Sequence, residues 1–112
     1  MTASKIEIFR EMTSAEPDNA LVWYGLGSEY FKAEQWREAA IALGEVVRLN
    51  PGYTAAYQML GSAHERLGEG EEARGAWQQG VEVAERAGAW KARDHMRALL
   101  QGIAGNASVS NS

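Results

Sequence analysis

The residues able to do chemistry in this 112-residue chain are few. There are two histidines, His64 and His95, and no cysteine. His64-Glu65 opens a His-Glu-x-x-His pattern, the helical spacing that sets two imidazoles on one face around zinc, but the fifth position is Gly68. The zinc pair is therefore missing, and His64 reads as a residue at the edge of a core. His95, between Asp94 and Met96, reads as a solvated helix residue. Gly68-Glu69-Gly70-Glu71-Glu72 is glycine-rich, yet no Gly-Lys-Ser/Thr follows and its carboxylates would repel phosphate. It reads as a turn leading into an acidic helix start. Asn106-Ala107-Ser108 has the form of a glycosylation triplet and is expected to be idle. No nucleophile–base pair or carboxylate dyad stands out. The expectation is a protein that is not an enzyme and holds no cofactor or metal.

Composition narrows the partners. A net charge of -4 argues against nucleic acid or an anionic membrane as the main partner. No apolar run approaches the roughly 20 residues that span a bilayer. Met1 to Lys5 leads into alternating charged and apolar residues without an apolar h-region, so no secretory signal is expected. The absence of cysteine fits a reducing compartment, and a cytoplasmic location is expected.

The elements that position these residues all read as helices. Ile6, Phe9, Met12 and Ala15 give helical spacing over residues 3–15. A second helix over 19–33 carries Trp23, Leu26, Gly27 and Tyr30. A third, about 36–50, carries Ala39, Ala40, Leu43, Val46, Val47 and Leu49. A fourth, about 53–67, carries Tyr57, Leu60, Gly61 and His64. Two more span about 71–87 and 89–103. Pro17, Pro51, the Gly68–Gly70 turn and Gly88 punctuate them. Asn19 and Thr54 are the expected N-caps of the second and fourth helices. The small polar segment 105–112 is expected to be disordered.

The pattern repeats. Leu26-Gly27-Ser28 returns as Leu60-Gly61-Ser62, 34 residues later. In the same register Trp23 aligns with Tyr57, Tyr30 with His64, Glu38-Ala39 with Glu72-Ala73, Leu43 with Trp77 and Val46 with Gly80. A small residue inside a helical run of large ones lets two backbones pass closely. Gly27 and Ala39 are thus placed where the two helices of a hairpin cross, and Leu43 and Trp77 where one hairpin meets the next. Gly44 and Gly75 lie mid-helix with no evident packing reason.

This register resembles the tetratricopeptide repeat, over roughly residues 5–87. The resemblance implies an all-α fold of about six helices, antiparallel hairpins in a right-handed superhelix, forming a single domain over 1–104. Residues 1–16 would be a half repeat, 20–53 and 54–87 two full repeats, and 88–104 a capping helix. Glu85 stands where the second repeat should have its proline, so the fifth helix is expected to run on. The resemblance also implies a protein–protein interaction module, a scaffold taking a peptide or protein partner in a concave groove. Its groove positions fall at Leu21, Tyr24, Ser28, Phe31 and Lys32, then at Ala55, Gln58, Ser62, Glu65 and Arg66. The lysine and asparagine with which chaperone-binding members clamp a terminal carboxylate would fall at Tyr24 and Ser28, and both are absent. A peptide of mixed apolar and acidic character is the ligand implied. The alternative is self-assembly, a homodimer or larger homo-oligomer formed through the terminal half repeat, where Phe9 and Met12 lack an antiparallel partner, or through the cap.

Overall fold

The computed structural model describes residues 4–110, with side chains through Gly102. Six helices and no strand occur among them: α1 Lys5–Ala15, α2 Ala20–Lys32, α3 Trp36–Leu49, α4 Thr54–Arg66, α5 Gly70–Ala87 and α6 Trp90–Ser110. Each helix packs mainly on its neighbours in the chain, with lighter contacts from α2 to α4 and from α4 to α6. The molecule is a ladder of 53 × 30 × 19 Å.

Local chemistry sets the boundaries. Ser4 caps α1 by accepting from the Glu7 N–H, and Asn19 caps α2 by accepting from the Leu21 N–H. Thr54 does not cap α4, because it is already its first helical residue. Tyr53 holds the cap position without a side-chain bond, and Asn50 Oδ1 instead accepts from the Gly52 N–H to close the preceding turn. Each proline turn is tied by the aromatic six residues on. The Trp23 indole donates to the Pro17 carbonyl at 2.8 Å, and the Tyr57 hydroxyl donates to the Pro51 carbonyl at 2.7 Å. These two bonds are 34 residues apart, so the repeat is copied in its polar contacts as well as its core.

The glycines of the repeat do what their spacing predicts. A Cβ on Gly27 would stand 2.8 Å from Leu43 Cγ, and one on Gly61 would enter the Trp77 indole. Leu43 and Trp77 are both fully buried. Each presses on the glycine of its own hairpin while its cluster reaches the next helix, so the two side chains fill both the crossing and the junction. Gly25 faces the Phe9 ring, and Gly80 faces Met96 and Tyr57 Cβ. Gly44 and Gly75 face nothing within 4 Å.

Without a proline at position 85, α5 continues to Ala87 and ends at Gly88, whose φ of 70° is the left-handed conformation that glycine adopts without penalty. The helix α6 runs to Ser110, past the end expected at 104, so residues 105–110 are helical where a disordered tail was expected. No proline follows Trp90, so nothing in the sequence forces a stop at Gly105. The rest of that expected tail, 111–112, lies outside the described residues. The first helix of each successive unit starts at 20, 54 and 90, a step of 34 and then of 36 residues.

Candidate peptide-binding groove

The candidate groove is built on α2 and α4, which lie side by side. Tyr24, Ser28 and Phe31 recur at i, i+4 and i+7 and so share one face of α2. That face is offset from the stripe of Val22, Leu26 and Gly27, which is buried. The Ser28 hydroxyl points to the Met59 sulfur of α4 at 4.0 Å.

Tyr24 and Phe31 are half-buried, and each has an aromatic partner. The Tyr24 ring stacks on Tyr53 with centroids 4.8 Å apart and planes at 30°. Phe31 meets Trp36 edge-on, at 5.0 Å and 77°. Such pairs contribute about 0.5–1.5 kcal/mol beyond burial. The two aromatics are therefore not a bare hydrophobic patch; they are the inner halves of two pre-packed pairs. Burial, with the Tyr24 phenol as a smaller influence, pushes the Tyr53 hydroxyl above its ordinary value and keeps it neutral.

The cationic residues gather at one end, where α2 and α4 finish. The Arg66 guanidinium lies 5.3 Å from the Trp36 ring centroid, and no carboxylate sits within ion-pair distance of it among the described residues. Lys32 is exposed and stands 3.5 Å from Glu29. Leu21 is 67% exposed. Glu65 and Ala55 are exposed, while Gln58 and Ser62 are half-buried. The Gln58 main-chain carbonyl accepts from the Trp77 indole at 3.1 Å, which anchors α4 to α5 behind the groove.

The structure thus brings Tyr24, Ser28, Phe31 and Arg66 into contact with residues that sequence reasoning missed: Tyr53, Trp36 and Met59. Tyr53 sits in the break before α4, and Trp36 opens α3 ahead of its buried stripe, so periodicity carried no signal for them.

His64 is half-buried, as an edge-of-core residue should be, but it also belongs to a charged network. Its Nδ1 lies 2.8 Å from Glu69 Oε1, and Arg37 grips the same carboxylate with two bonds, 2.7 and 3.2 Å. The Arg37 bond, seconded by that of His64, holds the Glu69 carboxyl down at about 2. The network ties α3 to the α4–α5 turn. No cluster of three or more His, Asp or Glu able to hold a metal occurs among the described residues. No helix there is long and apolar enough to cross a membrane.

Comparison with known proteins bears on this geometry. The profile of the tetratricopeptide repeat matches residues 20–53. The TPR repeat-containing protein PA0015 of Pseudomonas aeruginosa is 35% identical over 96 residues, covering 86% of this chain and 91% of that protein. The solution structure of BPP2914 from Bordetella parapertussis superposes with a TM-score of 0.83 at 24% identity, over 98% of this chain and 96% of that one. The first TPR of Spaghetti (RPAP3), solved bound to the HSP90 peptide SRMEEVD, gives a TM-score of 0.73 at 26% identity, over 88% and 77%.

Proposed function

Since the chain belongs to the tetratricopeptide-repeat family, whose fold generally mediates protein–protein interaction, we propose that it is a non-catalytic module. It takes an extended segment of a partner protein along the face shared by α2 and α4. The observation that carries this reading is the Phe31–Trp36–Arg66 group, two aromatic rings capped by a guanidinium that has no carboxylate partner among the described residues. An edge of packed aromatics beside an unpaired cation suits a ligand with an apolar side chain followed by a carboxylate.

The ligand differs in kind from the peptide held by the Spaghetti domain. A carboxylate clamp needs a lysine and an asparagine, and here Tyr24 and Ser28 stand in those places. Tyr24 is occupied by Tyr53, and Ser28 is turned to Met59. Recognition accordingly rests on side chains within the segment and on Arg66 and Lys32, not on a chain terminus.

The test is a panel of short peptides carrying aromatic and acidic residues, with matched forms in which Asp and Glu are replaced by Asn and Gln, titrated while tryptophan fluorescence is followed. Trp36 lies under Arg66 and reports occupancy. Arg66 is exposed, so Arg66→Glu leaves the packing intact and should weaken the acidic peptides at least about tenfold. Equal binding by Arg66→Glu, or equal binding of the neutral peptides, refutes the reading.

A further inference from the structure

The 34-residue register supplies an internal standard for α1. Shifted by 34 and 68 residues, Ile8 corresponds to Ala42 and Ala76, and Met12 to Val46 and Gly80. All four of those counterparts are buried, because α2 covers α3 and α4 covers α5. Ile8 is instead 44% exposed and Met12 37%. The first helix occupies the place of a hairpin's second helix, and among the described residues no first helix covers it. Phe9 has turned onto Gly25 of α2, leaving Ile8 and Met12 as the uncovered apolar residues.

From this we infer that two copies of the chain pair through α1, antiparallel about a two-fold axis. Lys5, Ile8, Met12 and Ala15 have the 3-4-3 spacing of a helix–helix seam. The stripe is self-complementary only when reversed: an axis level with Arg10 sets Ile8 against Met12 of the second copy and Lys5 against its Ala15, beside its Glu16. Lys5 and Glu16 are exposed and stand at opposite ends of the stripe, so the reversal makes two Lys5–Glu16 pairs, and a parallel arrangement makes none. Glu16 is steadied by the Asn19 side chain at 3.2 Å.

The other end of the ladder does not compete for α1. Counted by the 36-residue step, the slots of Tyr57 and Gly61 fall in α6 at Arg93 and Arg97. Arg93 stacks on Trp90 and Arg97 pairs with Glu85 at 2.9 Å, so α6 presents charge where a covering helix needs a glycine. Head-to-tail growth is thereby blocked, and the contact closes as a dimer.

The pair should be weak. An 11-residue helix is about 16 Å long. Two such faces offer less than the roughly 1,200 Å² at which stable interfaces begin. The two Glu11 side chains also approach each other across the axis.

Sedimentation velocity on the full chain, from ~10 µM to ~1 mM, tests the inference in the range expected of so small a contact. The expected result is a dimer fraction that grows with concentration, is lost in Ile8→Asp with an unchanged helical circular dichroism signal, and falls in Lys5→Glu. The double variant Lys5→Glu/Glu16→Lys should restore it. A chain that stays monomeric throughout overturns the inference, as does a dimer indifferent to Ile8→Asp or a double variant that fails to recover. Arg66→Glu should leave dimerisation unchanged, which separates this test from that of the groove.

Discussion

Glycines inside the helices of the two repeats sit under opposite constraints, and alanine scanning should split them by sign. At Gly44 and Gly75 a Cβ meets nothing within 4 Å. Alanine there keeps the backbone helical and restricts only the unfolded chain, which stabilises by about 0.5–1 kcal/mol at each site. The sites are 31 residues apart on different helices, so the effects should add. At Gly61 the same methyl group would enter the Trp77 indole, which is fully buried and holds its N–H on the Gln58 carbonyl. The ring cannot retreat without breaking that bond and the packing of α5. Overpacking of this kind costs about 1–3 kcal/mol, and the lost hydrogen bond adds about 1. For a domain of this size 1 kcal/mol moves the melting temperature by about 4 °C. Thermal melts followed at the helical circular dichroism band should therefore place Gly44→Ala/Gly75→Ala about 4–8 °C above the parent and Gly61→Ala at least about 4 °C below it. A double variant that melts lower, or a Gly61→Ala melt indistinguishable from the parent, would show that the hairpin crossing is not where the repeat register puts it.

Two further predictions concern the turns. Glu34 has φ 59° in the α2–α3 turn, where the second repeat has Gly68 at φ 77°. Glu34→Gly removes a left-handed strain of about 1–2 kcal/mol against a smaller gain in unfolded-chain freedom, so chemical denaturation should show a modest net stabilisation; a loss of stability would sink the strain argument. Glu69 is held at about 2, so its contribution to stability is fully present above the ordinary carboxylate value of 4.5 and is lost as pH falls from there through 2. The stability gap between the parent and Glu69→Gln should accordingly be constant above pH 4.5 and shrink below it; a gap unchanged down to pH 2 contradicts the network.

The helices and their register were legible because each rests on a short-range signal that recurs. Asn19, the two proline turns and Gly88 each act through neighbours within a few residues, and the Leu-Gly pairs, whose partners Leu43 and Trp77 lie on the next helix, are legible because they recur in register. The candidate site was legible only by half. Tyr24 and Phe31 could be placed on a face of α2, but whether that face is bare depends on Tyr53 and Trp36, which lie 29 and 5 residues further on, one in a turn and one at the first residue of α3, where the geometry follows from packing. Thr54 misleads as a cap because Thr-x-x-Tyr after a proline turn looks like a helix entry. The chain uses Asn50 one turn earlier, and the helix has already begun at Thr54.

The end of the array follows from one departure in the repeat. In the first repeat Pro51 stops α3 and fixes the 34-residue step to α4. The corresponding Glu85 permits α5 to reach Ala87, and the next helix enters two residues late. That shift moves Met96 into the slot held by Leu26 and Leu60, where it is fully buried against Gly80. It also moves Arg97 into the slot of Gly27 and Gly61. A residue with a long charged side chain there excludes the close crossing on which a further hairpin depends, and its guanidinium is held by Glu85 itself. The residue that replaces the proline thus both delays the last helix and fixes the side chain that closes it. Putting the proline back by itself would leave Met96 and Arg97 in register with nothing. Glu85→Pro should therefore cost α6 its packing, read as a lower melting temperature, without creating a site for a new repeat; a variant that melts with the parent would show that the late entry of α6 does not depend on Glu85.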